Sequence, residues 1–382
     1  MTERQTPPPE DDVSGERQES TANGSSAVTE RAGRGRWSDA GPETVRPGVH
    51  RVPLPLPGDG LRAVNVYLLE DGDGIVMIDG GWALPESRRS LEDAMASLGY
   101  DLAAITQILV THIHRDHYTQ AVALRRLLGA RVLLGAGERP GLETLRQIAT
   151  QAPVRSLEIL DRGGAHHLAE RIRKQSGGAD FDDRDWELPD EWLGAGVRRL
   201  GRRSLRVVPT PGHTRGHVVY LDEDNALMFA GDHVLPHITP SIGFELAAPG
   251  LPLADYLRSL HLMTTFADTR LLPAHGPVTG STHARVGELL LHHDRRLTAT
   301  LRALGEGSLS AYEVARRLTW TRRDVPFADL DDFNQMLAVS ETVAHLDVLV
   351  ARGQAVTARE DGTDRYTAVR EWPPGCGPVP GP

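Results

Sequence analysis

Apolar and polar residues follow strand spacing and then helix spacing through the middle of the chain. Residues 64–69 and 75–79 are apolar stretches joined by a D-G-D-G turn at 71–74, which predicts a β-hairpin. Residues 85–98 carry apolar positions at helical spacing behind a proline, which predicts an amphipathic helix. Residues 105–110 form a further apolar run, which we expect to be a buried strand.

The same patterns continue to about residue 280. They predict helices at 119–128 and 253–264, and strands at 131–134, 205–208, 217–221, 226–229 and 269–272. Strands that alternate with turns and then with helices favour a layered α/β domain over about residues 46–280. Its polar, irregular segment 151–200 is expected to be a helical insertion or lid. We expect Trp186 and Trp192 to pack a small core within this insertion, with apolar walls of a substrate pocket as the alternative.

The two ends of the chain differ from this central part. Residues 1–45 and 371–382 are rich in small and polar residues and proline, so we expect both to be disordered. From residue 282 a long helix leads to helices at 311–318 and 334–350 and to short strands at 355–357 and 365–369. This order of helices followed by a hairpin predicts a small winged-helix domain over residues 281–370.

Composition narrows the class of protein. The 382 residues are 40% apolar, which is enough for a buried core, and the formal net charge of −10 disfavours general binding to polyanions. The single cysteine, Cys376, excludes an internal disulfide and a cysteine-based zinc site. No apolar run reaches the length of a membrane span and the N-terminus has no apolar signal region. We therefore expect a cytoplasmic protein without membrane association.

Residues 111–117 have the sequence Thr-His-Ile-His-Arg-Asp-His, which places four metal-binding side chains within six residues. The alternative is a solvated polar loop. This segment follows the predicted strand 105–110 and precedes a predicted helix, a position at which His112, His114, Asp116 and His117 are gathered by a turn of the chain. Neutral imidazole suits Zn²⁺, Fe²⁺ or Mn²⁺, and a carboxylate widens the choice.

Three further candidate ligands lie at the ends of predicted strands. They are His213 in P-G-H-T, Asp232 in G-D and His275 in P-A-H-G. Glycine or proline beside each one allows the backbone to turn sharply toward a common centre. Each residue alone is more typical of a loop or a helix cap, but the set together with residues 112–117 predicts a metal centre.

These motifs resemble those of the metallo-β-lactamase-fold hydrolases. The segments that match are T-H-x-H-x-D-H at 111–117, P-G-H-T at 211–214, G-D at 231–232, P-A-H-G at 273–276 and D-G-G at 79–81. The resemblance implies a four-layer αβ/βα sandwich with the site at the edge between two sheets. Where many members continue with x-G-G after D-H, this chain has Tyr-Thr-Gln at 118–120, which leaves the substrate class open.

The resemblance also implies two metal ions per chain, usually zinc and in some members iron or manganese. It assigns His112, His114 and His213 to one ion and Asp116, His117 and His275 to the other, and it makes Asp232 the bridge between them. A hydroxide shared by the two ions is then the expected nucleophile. Asp116 is the candidate to accept or shuttle the proton.

Several residues near these motifs are candidates for supporting roles. Asp79 is expected to orient a ligand or loop, with a plain strand-end cap as an equal alternative, and Thr214 and His237 are candidates for contacts around the pocket. His217 and His233 are expected to pack or to support ligands rather than to bind metal. The pair at 292–293 lies on the predicted long helix and is expected at the surface.

The substrate class is the most open question. Hydrolysis of a small-molecule ester or thioester is our first hypothesis, a metal-dependent ribonuclease is the second, and an iron-dependent persulfide or redox enzyme of the same fold is the third. The predicted helix at 334–350 contains no Lys or Arg, so nucleic acid is not an expected partner. We expect the winged-helix domain to pack against the pocket or against a second subunit of a homodimer.

Overall fold

The computed structural model describes residues 37–57, 60–72, 74–148, 154–176, 182–243 and 250–369. Most of the predicted disordered N-terminus and the whole predicted tail, 371–382, lie outside these ranges. Strand β1 (Glu43–Arg46) begins inside the segment predicted to be disordered, so that prediction is wrong for residues 43–45. The strand is stabilised because Val45 is buried and Glu43 forms an ion pair with the buried Arg51 at 3.0 Å.

The first sheet has seven strands in the spatial order β1-β2-β3-β4-β5-β6-β7. Pairing is antiparallel from β1 to β4 and parallel from β4 to β7, and the predicted hairpin is confirmed as β3 and β4. The remaining strands are β2 (Val49–Pro55), β3 (Ala63–Asp71), β4 (Gly74–Ile78), β5 (Ile105–Val110), β6 (Arg131–Gly135) and β7 (Glu191–Leu193). Helices α1 (Pro85–Ser97), α2 (Arg115–Leu128) and α3 (Arg139–Ile148) occur between its parallel strands.

The second sheet has five strands in the order β12-β11-β10-β9-β8. They are β8 (Gly196–Arg199), β9 (Ser204–Pro209), β10 (Val218–Asp222), β11 (Leu227–Gly231) and β12 (Arg270–Pro273). Helices α4 (Val154–Arg162) and α5 (His166–Ser176) precede this sheet in the chain, and α6 (Pro252–Met263) precedes β12.

The two sheets pack face to face because side chains alternate along each strand. In β3, Tyr67 and Leu69 join the core between the sheets, where the ring of Tyr67 meets that of Phe229 edge-on at 5.3 Å. The intervening Leu68 faces the opposite side and packs in the core under α1 and α2. A third core covers the outer face of the second sheet. The architecture is therefore a mixed α/β sandwich with helices outside both sheets.

Within its described residues, the predicted insertion is α-helical only in its first part, and the second part has one short 3-10 helix at Asp183–Trp186. Helices α4 and α5 pack against the C-terminal part of the chain, where Arg162 pairs with Asp347 at 2.7 Å and Arg171 with Asp332 at 2.8 Å. The second part contains β7 and β8, which end the first and the second sheet respectively. Both strands are too short to show a clear alternation, with β7 half-buried to buried and β8 mostly exposed, and only pairing with other strands defines them.

The prediction of a separate core for the two tryptophans is wrong. Trp186 and Trp192 are partly buried against the core of the first sheet and its helices. The ring of Trp186 stacks over Tyr118 of α2, with 6.4 Å between the ring centroids.

The C-terminal part begins with the long helix α7 (Thr282–Leu304). The elements that follow are β13 (Leu309–Ser310), α8 (Ala311–Ala315), β14 (Thr319–Trp320), β15 (Val325–Pro326), α9 (Asp332–Ala351), β16 (Ala355–Glu360) and β17 (Thr363–Ala368). Strands β13, β17 and β16 form a three-stranded sheet. The predicted order of helices followed by a hairpin is observed, whereas the winged-helix assignment stays a prediction. Separately, none of the helices in the described residues is both long enough and apolar enough to span a bilayer.

Helix α9 is buried on nearly all sides. Its apolar residues share one core with α4, α5, α7 and the outer face of the second sheet. The two charged residues within 334–350 are acidic and are paired inside the structure, Asp347 with Arg162 at 2.7 Å and Glu341 with Arg296 at 3.6 Å.

Histidine 293 is buried, so the expected surface position is wrong for it. Its Nδ1 lies 3.3 Å from Nε2 of His345 on α9, and the other ring nitrogen of His345 donates to the Glu341 carbonyl at 2.8 Å. Only 1% of His293 and none of His345 is exposed. No local pattern signals this pair, because its members are separated by more than fifty residues and share no motif.

Acidification is expected to destabilise the protein through this pair. Burial lowers the pKa of His345 to about 4 and that of His293 well below its ordinary value. Both are neutral when folded, whereas the unfolded chain protonates them below about pH 6.5. The free energy of unfolding should therefore fall between about pH 6.5 and 4. His345→Gln, which keeps an acceptor for His293, should remove on the order of 2–3 kcal/mol of that fall in urea titrations at pH 7.5 and 4.5.

The exposed His261 provides the control. His261→Gln removes the same titrating group from α6 without a buried partner, and it should leave the pH dependence of the wild type unchanged. Identical pH dependence of the free energy of unfolding in His345→Gln and the wild type would show that the His293–His345 pair is not the cause of the acid destabilisation.

Candidate metal centre

Side chains from the ends of four strands meet at one edge of the sandwich. Strand β5 leads directly into the histidine-rich segment, and α2 begins at Arg115, so that Asp116 and His117 occupy the first helical turn. The loop between β9 and β10 contributes His213, the end of β11 contributes Asp232, and the end of β12 contributes His275. All seven predicted ligands lie in two adjoining groups.

The first group contains His112, His114, His213 and Asp232. Nδ1 of His114 lies 3.0 Å from Nε2 of His112 and 3.0 Å from Nε2 of His213. Oδ2 of Asp232 lies 3.4 Å from Nε2 of His213. Three ring nitrogens and a carboxylate oxygen therefore converge on one small volume.

The second group contains Asp116, His117 and His275. Nε2 of His275 lies 3.4 Å from Oδ2 of Asp116, and Nε2 of His117 lies 3.6 Å from the same oxygen. Oδ1 of Asp232 lies 3.3 Å from Nε2 of His275 and 3.6 Å from Nε2 of His117. Asp232 thus directs one oxygen to each group, as the sequence motifs predict for a bridge.

The ring nitrogens that face away from the cluster have hydrogen-bond partners of their own, and this arrangement fits a set of metal ligands. Nδ1–H of His213 donates to the Ser241 carbonyl at 2.8 Å, that of His275 to the Ala63 carbonyl at 2.9 Å, and that of His117 to the Asp79 carboxylate at 3.0 Å. Each of these rings therefore turns its Nε2 toward the cluster, and a neutral ring held in this way presents the lone pair that a metal ion binds. Nε2 of His117, Nε2 of His275 and Oδ1 of Asp232 are buried without a hydrogen-bond partner. Buried acceptors without a donor are costly, and divalent cations satisfy them.

Asp79 links the end of β4 to the ligand-bearing segment 111–117 at this edge of the first sheet. Its Oδ1 accepts the backbone N–H of Thr111 at 2.7 Å, and its carboxylate also accepts the Thr111 hydroxyl at 3.0 Å and the His117 ring. Because that hydroxyl donates to Asp79, its oxygen is left to accept Nδ1–H of His112 at 3.1 Å. Asp79 therefore fixes the ring orientation of one ligand directly and of another through Thr111.

His217 supports Asp232 and stays outside the ligand groups. The backbone N–H of Asp232 donates to Nε2 of His217 at 3.2 Å, and Nδ1 of His217 contacts the Thr210 hydroxyl at 2.8 Å. His233 is buried behind it, with 6.0 Å between the two ring centroids. The expectation that His217 and His233 pack or support rather than join the ligands agrees with this arrangement.

Thr214 and His237, the other two predicted supporting residues, lie on different segments of the chain. The Thr214 hydroxyl donates to the buried carboxylate of Glu138, so this threonine secures its loop against the turn after β6 and contacts no ligand through that bond. His237 is half-buried in the segment after Asp232, near Gly276. Glu138, Ser241 and Ala63 had no sequence signal, because a lone acid and two backbone carbonyls have no recognisable motif.

The protonation states of the cluster match those of metal ligands in the first group. Burial, followed by the neighbouring histidines, lowers the pKa of His112 well below its ordinary value, and the pKa of His114 falls to about 3 for the same reasons. Burial opposes ionisation of Asp232, but His275 and His117 outweigh it and hold the pKa of this carboxyl well below its usual range. His112 and His114 are therefore neutral beside the ionised Asp232. In the second group burial opposes protonation, but Asp116 and Asp79 raise the pKa of His117 to about 10 and Asp232 raises that of His275, so metal binding there must displace protons from these two rings.

Solvent reaches the cluster from one side. Only His114 and Asp116 among the seven are partly exposed, and the others are buried. A substrate must therefore approach across the first turn of α2, where these two side chains lie on either side of Arg115.

Comparison with known proteins agrees with this geometry. The model of the metallo-beta-lactamase superfamily matches residues 59–275, a range that begins before D-G-G, ends at His275 and contains all seven candidate ligands. The chain belongs to the metallo-beta-lactamase superfamily. As a member it is a metal-dependent hydrolase, and its fold together with the His/Asp cluster indicates binding of divalent metal.

Individual relatives of this superfamily member extend over most of the chain. The probable metallo-hydrolase YqjP of Bacillus subtilis (strain 168) is 27% identical over 333 residues, which are 83% of this chain and 95% of the relative. A metallo-beta-lactamase family protein of Thermus thermophilus has a TM-score of 0.70 at 26% identity, over 85% of this chain and all of the relative. A protein named atrochrysone carboxyl ACP thioesterase nsrC, from Aspergillus novofumigatus, is 24% identical over 70% of this chain and 66% of its own length.

Proposed function

We propose that this protein hydrolyses a small-molecule ester or thioester at a centre of two divalent cations, with zinc as the preferred metal. His112, His114 and His213 would hold one ion, Asp116, His117 and His275 would hold the other, and Asp232, which directs one oxygen to each group, would contribute to both. The observation that carries the proposal is the set of inward-facing nitrogens whose opposite ring atoms are already tied to Ser241, Ala63 and Asp79. When bound, such cations supply the Lewis acidity that activates water near neutral pH and polarises an acyl carbonyl.

The chain itself supplies orientation and a proton acceptor. Asp116 lies at the open side with 17% of its side chain exposed, and His117 and His275 together hold its pKa below the usual range despite burial. An ionised carboxylate that reaches both solvent and the cluster is placed to take the proton that water loses during attack. His237 and Thr239 lie in the segment that follows Asp232 and are candidates to contact the substrate.

Two considerations favour esters and thioesters over nucleic acid. The thioesterase from Aspergillus novofumigatus is a relative over 70% of this chain. Binding of RNA depends on several Lys or Arg contacts to phosphate, whereas the chain has a net charge of −10. We propose that the C-terminal part is a winged-helix unit with a structural role, either toward the pocket or in a homodimer.

Metal analysis and a substrate panel test the proposal together. Elemental analysis of the purified protein should give close to two metal ions per chain, and acyl thioesters of N-acetylcysteamine should be hydrolysed faster than a single-stranded RNA. Faster cleavage of RNA, lost in His112→Ala, would favour the ribonuclease. Visible absorption with iron as the bound metal would favour the persulfide or redox alternative, because zinc sites are colourless.

A further inference from the structure

Arg115 lies at the exposed side of the metal centre, and its positive charge is not paired with a carboxylate in the described residues. It is exposed and separates His114 from Asp116, the two partly exposed members of the cluster. Among the described residues it forms no ion pair, and its side chain instead places the guanidinium carbon 4.0 Å from the ring centroid of Trp82. By contrast, exposed arginines on α1, such as Arg88 and Arg89, have carboxylate partners.

The aromatic side of this contact is held firmly beside α2. Trp82 follows the D-G-G segment, whose Gly80 N–H donates to the His117 carbonyl at 2.7 Å and whose Gly81 carbonyl accepts Gln120 N–H at 3.0 Å. The next residue, Ala83, donates its N–H to the Thr119 hydroxyl at 2.9 Å. Trp82 also packs against the core of the first sheet. The indole is therefore a fixed platform next to the first turn of α2.

Helix stability does not account for Arg115. It is the first residue of α2, and a cation at that position is electrostatically disfavoured because the N-terminal end of a helix is already positive. Stacking on Trp82 holds the planar guanidinium by one face and leaves its N–H edge available. Such an edge binds a carboxylate or phosphate through paired, charge-assisted hydrogen bonds.

We propose that Arg115, held by Trp82, binds an anionic group of the substrate beside the metal centre. This inference rests on the proposed hydrolysis of an ester or thioester and narrows its substrate class to molecules that carry a negative charge near the scissile bond. The charge belongs either to the acyl part or to the leaving thiol or alcohol. Both sources present the same chemistry to a guanidinium.

Three matched thioesters distinguish these sources. Butyryl-N-acetylcysteamine is neutral, succinyl-N-acetylcysteamine carries its carboxylate on the acyl part, and S-butyryl-N-acetylcysteine carries it on the thiol part. We expect the wild type to favour one of the charged substrates over the neutral one in kcat/KM. Arg115→Gln should raise KM for that substrate by about 10- to 100-fold, with less than a twofold change for the neutral thioester.

Further measurements separate recognition from general damage. Arg115→Lys keeps the charge but not the stacked, paired geometry and should recover only part of the preference. Arg89→Gln removes one exposed positive charge from α1 and should leave all three substrates unaffected. Because Arg115 is exposed, the preference of the wild type should shrink as ionic strength rises, whereas a structural role would not respond to salt.

Binding measurements keep this inference apart from the proposed hydrolysis. Thioether analogues of the three substrates, which cannot be hydrolysed, are titrated calorimetrically into the metal-loaded protein. If no thioester is hydrolysed but charged analogues bind more tightly to the wild type than to Arg115→Gln, the anion site stands and the proposed reaction is wrong. Equal losses for charged and neutral ligands, or no loss for either, would overturn the anion site whatever the activity.

Discussion

Asp232→Asn is expected to reduce the metal content from about two ions per chain to one or fewer and to lower the hydrolytic rate by at least about 100-fold. The carboxylate directs Oδ2 toward His213 at 3.4 Å and Oδ1 toward His275 at 3.3 Å. An amide of the same shape has one acceptor and one NH₂ donor, so it cannot serve two cations, and it removes a negative charge between them. Metal ions contribute several kcal/mol to transition-state stabilisation, which sets this minimum.

The same substitution should also lower the free energy of unfolding of the metal-free protein, because it removes the carboxylate that His275 and His117 stabilise. The new NH₂ group can donate to a ring nitrogen of the cluster, which limits this loss. Elemental analysis, initial rates and thermal unfolding after chelation measure the three effects. Asp224→Asn in the exposed turn between β10 and β11 makes the same chemical change a few residues away and should alter none of them. Retention of both ions and of full activity in Asp232→Asn would rule out the bridging role.

Asp79→Asn is expected to weaken metal binding by about 10- to 100-fold without removing a ligand. Asp79 has a positive φ of 60°, a conformation that asparagine tolerates, so the backbone should be preserved. The amide NH₂, however, either faces the Thr111 N–H or donates to Nδ1 of His117. In the second case the His117 proton moves to Nε2, and the ring turns a donor instead of a lone pair toward the metal.

The expected loss of stability is smaller and of separate origin. Asp79 accepts hydrogen bonds from both the N–H and the hydroxyl of Thr111, and a mismatch there should lower the free energy of unfolding of the metal-free protein by about 1–3 kcal/mol. Zinc titration against a competing chelator and urea unfolding separate the two effects. Asp93→Asn on the exposed side of α1 is the matched control. Unchanged zinc affinity in Asp79→Asn would show that Asp79 only caps its strand.

Much of the first sheet could be predicted from the chain because its signals are local. The hairpin of β3 and β4 has a turn motif between apolar strands, and β5 runs directly into T-H-x-H-x-D-H. Strands β7 and β8 could not be predicted in this way, since a strand of three or four residues is too short to show a periodicity of its own. Likewise, the burial of His293 depends on α9, which lies far along the chain and carries its partner His345.

The superfamily and the seven candidate ligands can be predicted from the chain alone, because both depend on side-chain types and on the glycine and proline residues beside them. The roles of Ser241 and Ala63 in orienting His213 and His275 are visible only in the folded protein. Every residue has a backbone carbonyl, and the sequence does not show which carbonyl lies beside which histidine. Only the tertiary structure, likewise, decided that Arg115 lies exposed over Trp82 at the open side of the centre. Such contacts depend on which distant segments the packed core brings together, and local patterns contain no information about that.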